Sequence, residues 1–458
     1  MVRMLLWITA ISLIVAFSCE RLTQPRLGGE AFTLQEVATL VTESYLRLHA
    51  GQVVPGSTLR VYRNGQMLWQ KPYTEADSIV YDSTLAPAHT YTYRAELWSG
   101  SRQLARSNAV TVTTLDTTSH DFEWEIIEFP SPYGSGALYD VAIINENDIW
   151  AVGEIYSDST QPWLPYNAVH WDGEKWELKR IKTNSCGGVD YPPIRTILSF
   201  TQNDILFGHI DASITHFDGI NFINNCNFIQ QINGSINKMW GTSSRDFYIV
   251  GNNGLVAHYD GSSWQRMESG TELGLTDIWG VSEKEIYAIG VNRGQYLGIV
   301  LLYDGNGWQK LIDGVTKTSG FEINKLFKTQ LYGTTESVWV DEMGTVYTVG
   351  NLMYQYRLGK WDFVRSLPEN YLGGNPGNYY RGYLYAVRGN RSNDMFIVGE
   401  GNTCIHFNGM TWRKLGPEYM PFTLNYWLDL AVTEKTAVVV GSSYHDGIRW
   451  ARIMRLWR

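Results

Sequence analysis

The stretch from Ile236 to Trp264 reads INKMWGTSSRDFYIVGNNGLVAHYDGSSW, and its parts recur through most of the chain. An apolar strand ends on glycine at Tyr248-Ile-Val-Gly251. The same landmark returns at Trp150-Ala-Val-Gly153, Leu206-Phe-Gly208, Tyr287-Ala-Ile-Gly290, Tyr347-Thr-Val-Gly350, Phe396-Ile-Val-Gly399 and Val439-Val-Gly441. From Gly153 to Gly441 there are 288 residues over six intervals, or 48 per repeat. After each of the first six glycines a strand runs into a turn and an aromatic: His170-Trp-Asp-Gly173 with Trp176, His216-Phe-Asp-Gly219 with Phe222, His258-Tyr-Asp-Gly261 with Trp264, Leu302-Tyr-Asp-Gly305 with Trp308, Arg357-Leu-Gly359 with Trp361, and His406-Phe-Asn-Gly409 with Trp412. Asp-Gly and Asn-Gly supply the positive φ angles of tight hairpin turns. Asn145-Glu-Asn-Asp148 and Ser243-Ser-Arg-Asp246 mark an earlier turn in the unit, so each repeat predicts four antiparallel strands.

Units of four strands at this period are the signature of a β-propeller, which has roughly 4 to 8 blades. The seventh repeat stops at Ile453-Met-Arg-Leu-Trp457, short of its turn and fourth strand, while Phe122 to Phe129 is a Trp-bearing strand without its three predecessors. Joining the two completes a seventh blade and removes an open edge. The repeat resembles the short propeller repeats of secreted bacterial proteins related to the sialidase-type Asp-box group. An Asp-box separates its Asp and Gly, whereas Asp172-Gly173, Asp260-Gly261 and Asp304-Gly305 are adjacent. The resemblance therefore implies the fold and carries over no catalytic residue.

Of the 458 residues 18% are charged and 14% aromatic, with 44 glycines, a mixture suited to buried strands joined by tight turns. With 37 Lys and Arg against 46 Asp and Glu the net charge is -9, and no basic cluster matches a row of phosphates, so nucleic acid is not expected as a partner. Arg3 and the apolar run Met4 to Phe17 read as an export signal, too short to span a bilayer. Ala16-Phe17-Ser18-Cys19 then resembles the lipobox of bacterial lipoproteins, which implies an acylated Cys19, a membrane partner through the lipid anchor, and a place in the cell envelope, at the outer membrane or cell surface. Beyond Cys19 only Cys186, Cys226 and Cys404 remain. A bridge between Cys186 and Cys226 is left open, and Cys404 reads as a small buried hydrophobe.

Between the signal and the repeats, about seven short strand patterns surround the hairpin signal Asn64-Gly65, the rhythm of a β-sandwich. Leu85-Ala-Pro87-Ala-His-Thr-Tyr91-Thr-Tyr93 and Ser107-Asn-Ala-Val-Thr-Val-Thr113 resemble the corner and last strand of a fibronectin type III domain, with Tyr91 as its corner tyrosine. The fold class expected is all-β, a fibronectin type III-like β-sandwich followed by a seven-bladed β-propeller. The domains expected are a signal over 1-18, a tether over 19-35, the sandwich over 36-115, a joint over 116-121 and the propeller over 122-458.

Chemistry is sparser than architecture. His170, His216, His258 and His406 hold one position in separate repeats, so symmetry spreads them around a ring and packing or bonding to the turn is expected of them, not a metal. Trp150, Trp240, Trp279 and Trp339 read as core between blades. Asp140, Asp277, Asp429, Lys238 and Arg195 lie near the starts of innermost strands and are expected as solvated groups lining a central channel. Insertions at Glu154 to Tyr166, Lys182 to Pro193, Phe321 to Glu336 and Leu367 to Arg381 break the repeat. Their aromatics Tyr156, Trp163, Tyr166, Tyr371, Tyr379 and Tyr380 are the candidate ligand contacts. No nucleophile elbow, phosphate loop, zinc motif or EF-hand is found, so neither cofactor, metal nor catalytic residue is assigned. The expectation is a monomeric envelope lipoprotein whose propeller binds a protein or glycan. The alternative is an extracellular polysaccharide hydrolase or lyase built on channel carboxylates.

Overall fold

A computed structural model describes residues 32–183, 190–225, 234–295, 297–315, 331–364, 383–417 and 425–458, and among these all helical or strand elements are strands. Two compact units result. The first holds residues up to Thr114 apart from Leu40–Thr42 and Ala86–Ala88, which fall with Leu115–Arg458 in the second.

In the first unit Phe32–Thr39, Ser44–Ala50 and Asp77–Asp82 form one sheet. Gln66–Pro72, Thr58–Arg63, Thr90–Ser99 and Arg102–Arg106 form the other, with Val110–Thr113 also on Thr90–Ser99. Alternation explains the shared core: Leu46, Leu48 and Ala50 turn inward from Ser44–Ala50 and meet Leu59, Val61, Val80, Ala95 and Leu97, while Arg47 and His49 face water. Asn64 and Gly65 take φ of 51° and 79°, the mirror-type turn that hairpins prefer. Tyr93 is the fully buried tyrosine of Thr90–Ser99, and its hydroxyl donates to Asp82 Oδ2 at 2.7 Å. Tyr91 is half-buried, with the Arg63 guanidinium 5.5 Å over its ring. Burial would raise the Asp82 carboxyl's pKa, but hydrogen bonds from Tyr93 and Thr84 and the Arg63 charge hold it low.

The second unit contains seven sheets among its described residues, antiparallel except where the short strand Leu331–Tyr332 joins the fourth sheet in parallel. Their first strands are Ala137–Asn145, Ile194–Thr201, Ile236–Ser243, Gly274–Ser282, Thr335–Val340, Leu384–Arg391 and Tyr426–Val432. Each first strand touches the next, and the last touches the first, so the strands close a ring. The third sheet shows the pattern, running Ile236–Ser243, Asp246–Gly251, Val256–Tyr259, Trp264–Met267. In the seventh, Ile448–Trp457 pairs with Thr436–His445 on one side and with Glu123–Phe129 on the other. The two ends of the unit thus share a sheet 334 residues apart at Glu123 and Trp457, joined also by a 3.1 Å indole-to-carboxylate bond.

One irregularity recurs in all seven first strands. The register slips by one residue between Leu138 and Asp140, Ile194 and Thr196, Ile236 and Lys238, Leu275 and Asp277, Thr335 and Ser337, Leu384 and Ala386, and Trp427 and Asp429. Such β-bulges leave one residue unpaired and bend the strand. They also explain the glycine that ends the second strand. A Cβ on Gly153, Gly251, Gly350, Gly399 or Gly441 would stand 1.8 to 2.2 Å from the carbonyl oxygen two residues before the unpaired residue of the bulge. The second sheet departs from this: Gly208 pairs one place earlier, with Thr196, and the buried His209 occupies the glycine's place opposite Ile194.

Turn chemistry also differs from expectation in one respect. At Asp172, Asp218, Asp260 and Asp304 only the following glycine has positive φ, 88° to 96°, and the turn spans four residues, not two. The Asp carboxylate supplies what a second positive φ was expected to supply: Asp260 Oδ1 accepts the amide protons of Ser262 and Ser263 at 2.9 and 2.8 Å. The histidines bond to the Asp that opens the second strand: His170 to Asp148, His216 to Asp204, His258 to Asp246, His406 to Asp394, at 2.6 to 2.9 Å. Trp240 and Trp339 lean on the neighbouring sheet, where Gly280 and Gly389 leave room that a Cβ would fill at 2.4 and 2.7 Å.

Candidate functional site

The bulges build the site. Their seven unpaired residues, Tyr139, Arg195, Asn237, Thr276, Glu336, Tyr385 and Leu428, all line one cavity of about 450 Å³ in the second unit. The residue after each bulge makes a lower tier: Asp140, Thr196, Lys238, Asp277, Ser337, Ala386 and Asp429. A β-strand alone would turn these two tiers to opposite faces of its sheet. The bulge breaks that alternation and aims the extra side chain into the ring.

The charged members of the lower tier, with Arg388 two residues beyond Ala386, form a closed set of ion pairs. Lys238 Nζ lies 2.7 Å from Asp140 Oδ1 and also bonds Asp429 Oδ2. Arg388 holds Asp277 in a fork, at 3.0 Å to Oδ2 and 2.9 Å to Oδ1, and also donates to Ser337 Oγ. The remaining lone pairs are used across sheets: Asp140 accepts from Thr196 Oγ1 and the Ile197 amide, and Asp277 from Ser337 Oγ and the Val338 amide. These groups are therefore not the solvated channel lining that sequence suggested. Asp140, Asp277 and Asp429 are 3%, 3% and 7% exposed, because opposite charges on facing strands meet at the ring's centre. Burial alone would lower the Lys238 pKa, but Asp140 and Asp429 hold it above the ordinary lysine value. Three carboxylates face two cations, and Asp429 carries the imbalance: burial raises its pKa against the pull of Lys238.

The wall above is less satisfied. Arg195 stacks 4.6 Å over the Tyr139 ring, and Arg449 donates to Ser442 Oγ at 2.8 Å; among the described residues neither has a carboxylate partner. Arg293 is committed in a fork to Glu336, which also accepts from the Tyr383 hydroxyl. Tyr139 donates to Glu154, and burial followed by that carboxylate pushes its pKa up, while burial takes Tyr385 to about 12. Both phenols stay protonated at neutral pH. Asn237 and Asn252 add amides to the lining. The cavity thus offers guanidinium donors, the Tyr385 phenol and the Asn252 amide above a floor with no free carboxylate pair among the described residues, since Lys238 Nζ stands between Asp140 and Asp429.

Sequence-predicted contacts lie elsewhere. Tyr156 donates to Glu154 Oε2 at 2.9 Å, Tyr166 lies under Arg180 at 4.3 Å, and Trp163 is 70% exposed; none of the three lines the cavity. Cys19, Cys186, Cys226, Tyr371, Tyr379 and Tyr380 fall outside the described residues. Cys404 is buried, with its thiol pushed up to about 12. Sequence reasoning missed Tyr139, Asn237, Thr276, Glu336, Tyr385 and Leu428 as a set. The signal was present: in six repeats the bulge residue stands 14 places before the landmark glycine, or before His209 in the second, and 13 places in the seventh. Aligned on that landmark, the column reads Tyr, Arg, Asn, Thr, Glu, Tyr, Leu, six residue types in seven places, whereas the position two after it is apolar in every repeat.

No protein-family profile matches the chain, and no curated protein does either. Solved structures do. A YCF48 protein bound to a D1 peptide superposes with TM-score 0.51 at 13% identity, over 75% of this chain and 97% of the other. YCF48 from Cyanidioschyzon merolae gives 0.48 at 11%, over 73% and 98%, and a GH74 xyloglucanase from Xanthomonas campestris 0.44 at 11%, over 71% and 54%. The first likeness is one of fold: the chain carries a β-propeller made of repeated four-stranded sheets.

Proposed function

We propose that the chain is an envelope lipoprotein, anchored through Cys19, in which a fibronectin type III-like sandwich carries a seven-bladed propeller that binds an acidic segment of another protein in its central cavity. The observation that carries the binding is the pair Arg195 and Arg449, two cavity cations without a carboxylate partner among the described residues, beside the Tyr385 phenol and the Asn252 amide. A guanidinium paired with a ligand carboxylate forms short, charge-assisted hydrogen bonds, and the phenols offer rigid contact area. The seven sheets, closed by Glu123–Phe129, support the blade count, and the three-plus-five strand pairing of the first unit supports the sandwich. The structural neighbour bound to a peptide shares only the fold and is compatible with a protein ligand.

The hydrolase or lyase alternative needs two working carboxylates with substrate between them. Lys238 occupies that space on the floor, which favours binding. The test is fluorescence anisotropy with a labelled Glu-rich peptide, its Gln-substituted twin and a uronic-acid oligosaccharide. The acidic peptide should bind, and Arg195→Gln with Arg449→Gln should weaken it by roughly tenfold or more. Equal binding of the Gln twin would refute the carboxylate reading. Preferred binding of the oligosaccharide would make the ligand a glycan, and its cleavage would make the protein an enzyme. Cys19→Ser should move the protein from the membrane to the soluble fraction.

A further inference from the structure

Arg452 is a buried cation whose charge goes unanswered. It lies on Ile448–Trp457, opposite Gly441 on one side and Glu128 on the other, while Gly441 in turn faces Trp427. Side chains opposite one another in an antiparallel pair share a face. Because Gly441 has none, the Arg452 guanidinium reaches across it and stacks 3.6 Å over the Trp427 ring. The residue is 3% exposed and Trp427 fully buried. Nη1 donates to Asn402 Oδ1 at 2.8 Å, but among the described residues Nε and Nη2 have no hydrogen-bond partner, and neither has Nε1 of the Trp427 ring beneath the guanidinium. Glu128, the carboxylate opposite it on the neighbouring strand, is engaged by Ser443 Oγ and His445 Nε2 at 2.7 and 3.0 Å. Burial lowers the guanidinium's pKa to about 9, only partly opposed by Glu128. In other sheets the residue beside the landmark glycine is uncharged: Leu255 accepts from Gly251, Ile299 pairs with Gly290, and Thr403 accepts from Gly399.

A buried charge without a counter-charge is strongly destabilising, and buried polar groups are almost always hydrogen-bonded. The two unpaired nitrogens, Nε and Nη2, form the edge of a guanidinium that binds two oxygens of a carboxylate side by side. Trp427 Nε1, on the ring under the guanidinium, is a further unused donor among the described residues, and an indole N–H is a donor only. From this row of Trp427, Gly441 and Arg452 we infer that the buried Arg452 guanidinium, where the seventh sheet meets Asn402 of the sixth, is a binding site for a small carboxylate anion, separate from the central cavity and independent of what that cavity holds. The anion accepts from Nε and Nη2 of Arg452 and from Trp427 Nε1. It supplies the missing counter-charge and ties the closing sheet to Asn402 of its neighbour.

The test is the thermal midpoint of the purified protein titrated with sodium formate, ionic strength being held constant with sodium fluoride. Ligand that binds only the folded state raises the midpoint with concentration, here by roughly 2 °C for each tenfold increase above the dissociation constant. Wild type should respond to formate and R452M should be flat. A midpoint indifferent to formate in wild type, or an equal response in both proteins, would overturn the site. Chloride as effective as formate would overturn the carboxylate assignment. R452K, which keeps the charge and loses the fork, and W427F, which keeps the ring and loses the donor, serve if R452M does not fold. Each should need at least fivefold more formate for the same rise, and a wild-type response in both would refute the proposed contacts.

Discussion

Floor and wall of the central cavity are built largely from adjacent positions on the same seven first strands, with Arg449 added to the wall from Ile448–Trp457, yet they do different work. On the floor, Asp140, Lys238, Asp277, Arg388 and Asp429 satisfy one another across the ring, so their charges hold sheets together. On the wall, Arg195 and Arg449 are left without carboxylates among the described residues, so their charges are available to a ligand. A one-residue bulge separates the tiers. A group that answers its neighbours serves the fold, and one that faces space serves recognition.

Removing a floor cation should break this contrast most severely. Lys238→Met strands Asp140 and Asp429 in the interior, and loss of one partner from a buried pair costs about 3 to 5 kcal/mol, measurable by urea denaturation. Next comes acid. His209 fills a glycine's place in the second sheet, and burial lowers its pKa to about 4 against 6.5 in the unfolded chain. The unfolded state therefore binds more protons between those values. Stability is intact above pH 6.5 and falls by about 3 kcal/mol toward pH 4, a slope that His209→Gln should flatten in denaturation followed against pH.

Asp429→Asn sharpens the contrast within the floor itself. It leaves two carboxylates for two cations and an amide oxygen that still accepts from Lys238, so the cost should stay below about 1 kcal/mol. A loss as large as that of Lys238→Met would show that Asp429 is fully charged and indispensable. The wall should matter least to stability: Arg195→Gln and Arg449→Gln are expected within about 0.5 kcal/mol of wild type while ligand binding is lost. Destabilisation comparable to the floor variants would place these arginines in the scaffold.

Much of the scaffold is legible in the order of residues alone. The repeat of 48 residues, the Val-Gly strand ends and the split seventh unit predict four-stranded sheets and their closure, because period, turn residues and strand alternation are local properties. Asn64-Gly65 marks its hairpin for the same reason. The polar ring is half legible. Asp140, Asp277, Asp429 and Lys238 stand at equivalent places, but their mutual pairing depends on which sheets face each other across the ring. Lys238 and Asp429 are 191 residues apart in sequence.

The residue order specifies an all-β chain of repeated sheets whose first and last strands belong together, since hydrophobic period and glycine placement are written residue by residue. Which side chains meet is a property of the folded ring. The bulge that turns Tyr139 and Arg195 inward, the closure that sets Lys238 between two aspartates, and the bare Gly441 that brings Arg452 onto Trp427 are all outcomes of strand register and ring closure. Those are non-local, and a slip of one residue would send each of these groups to the other face.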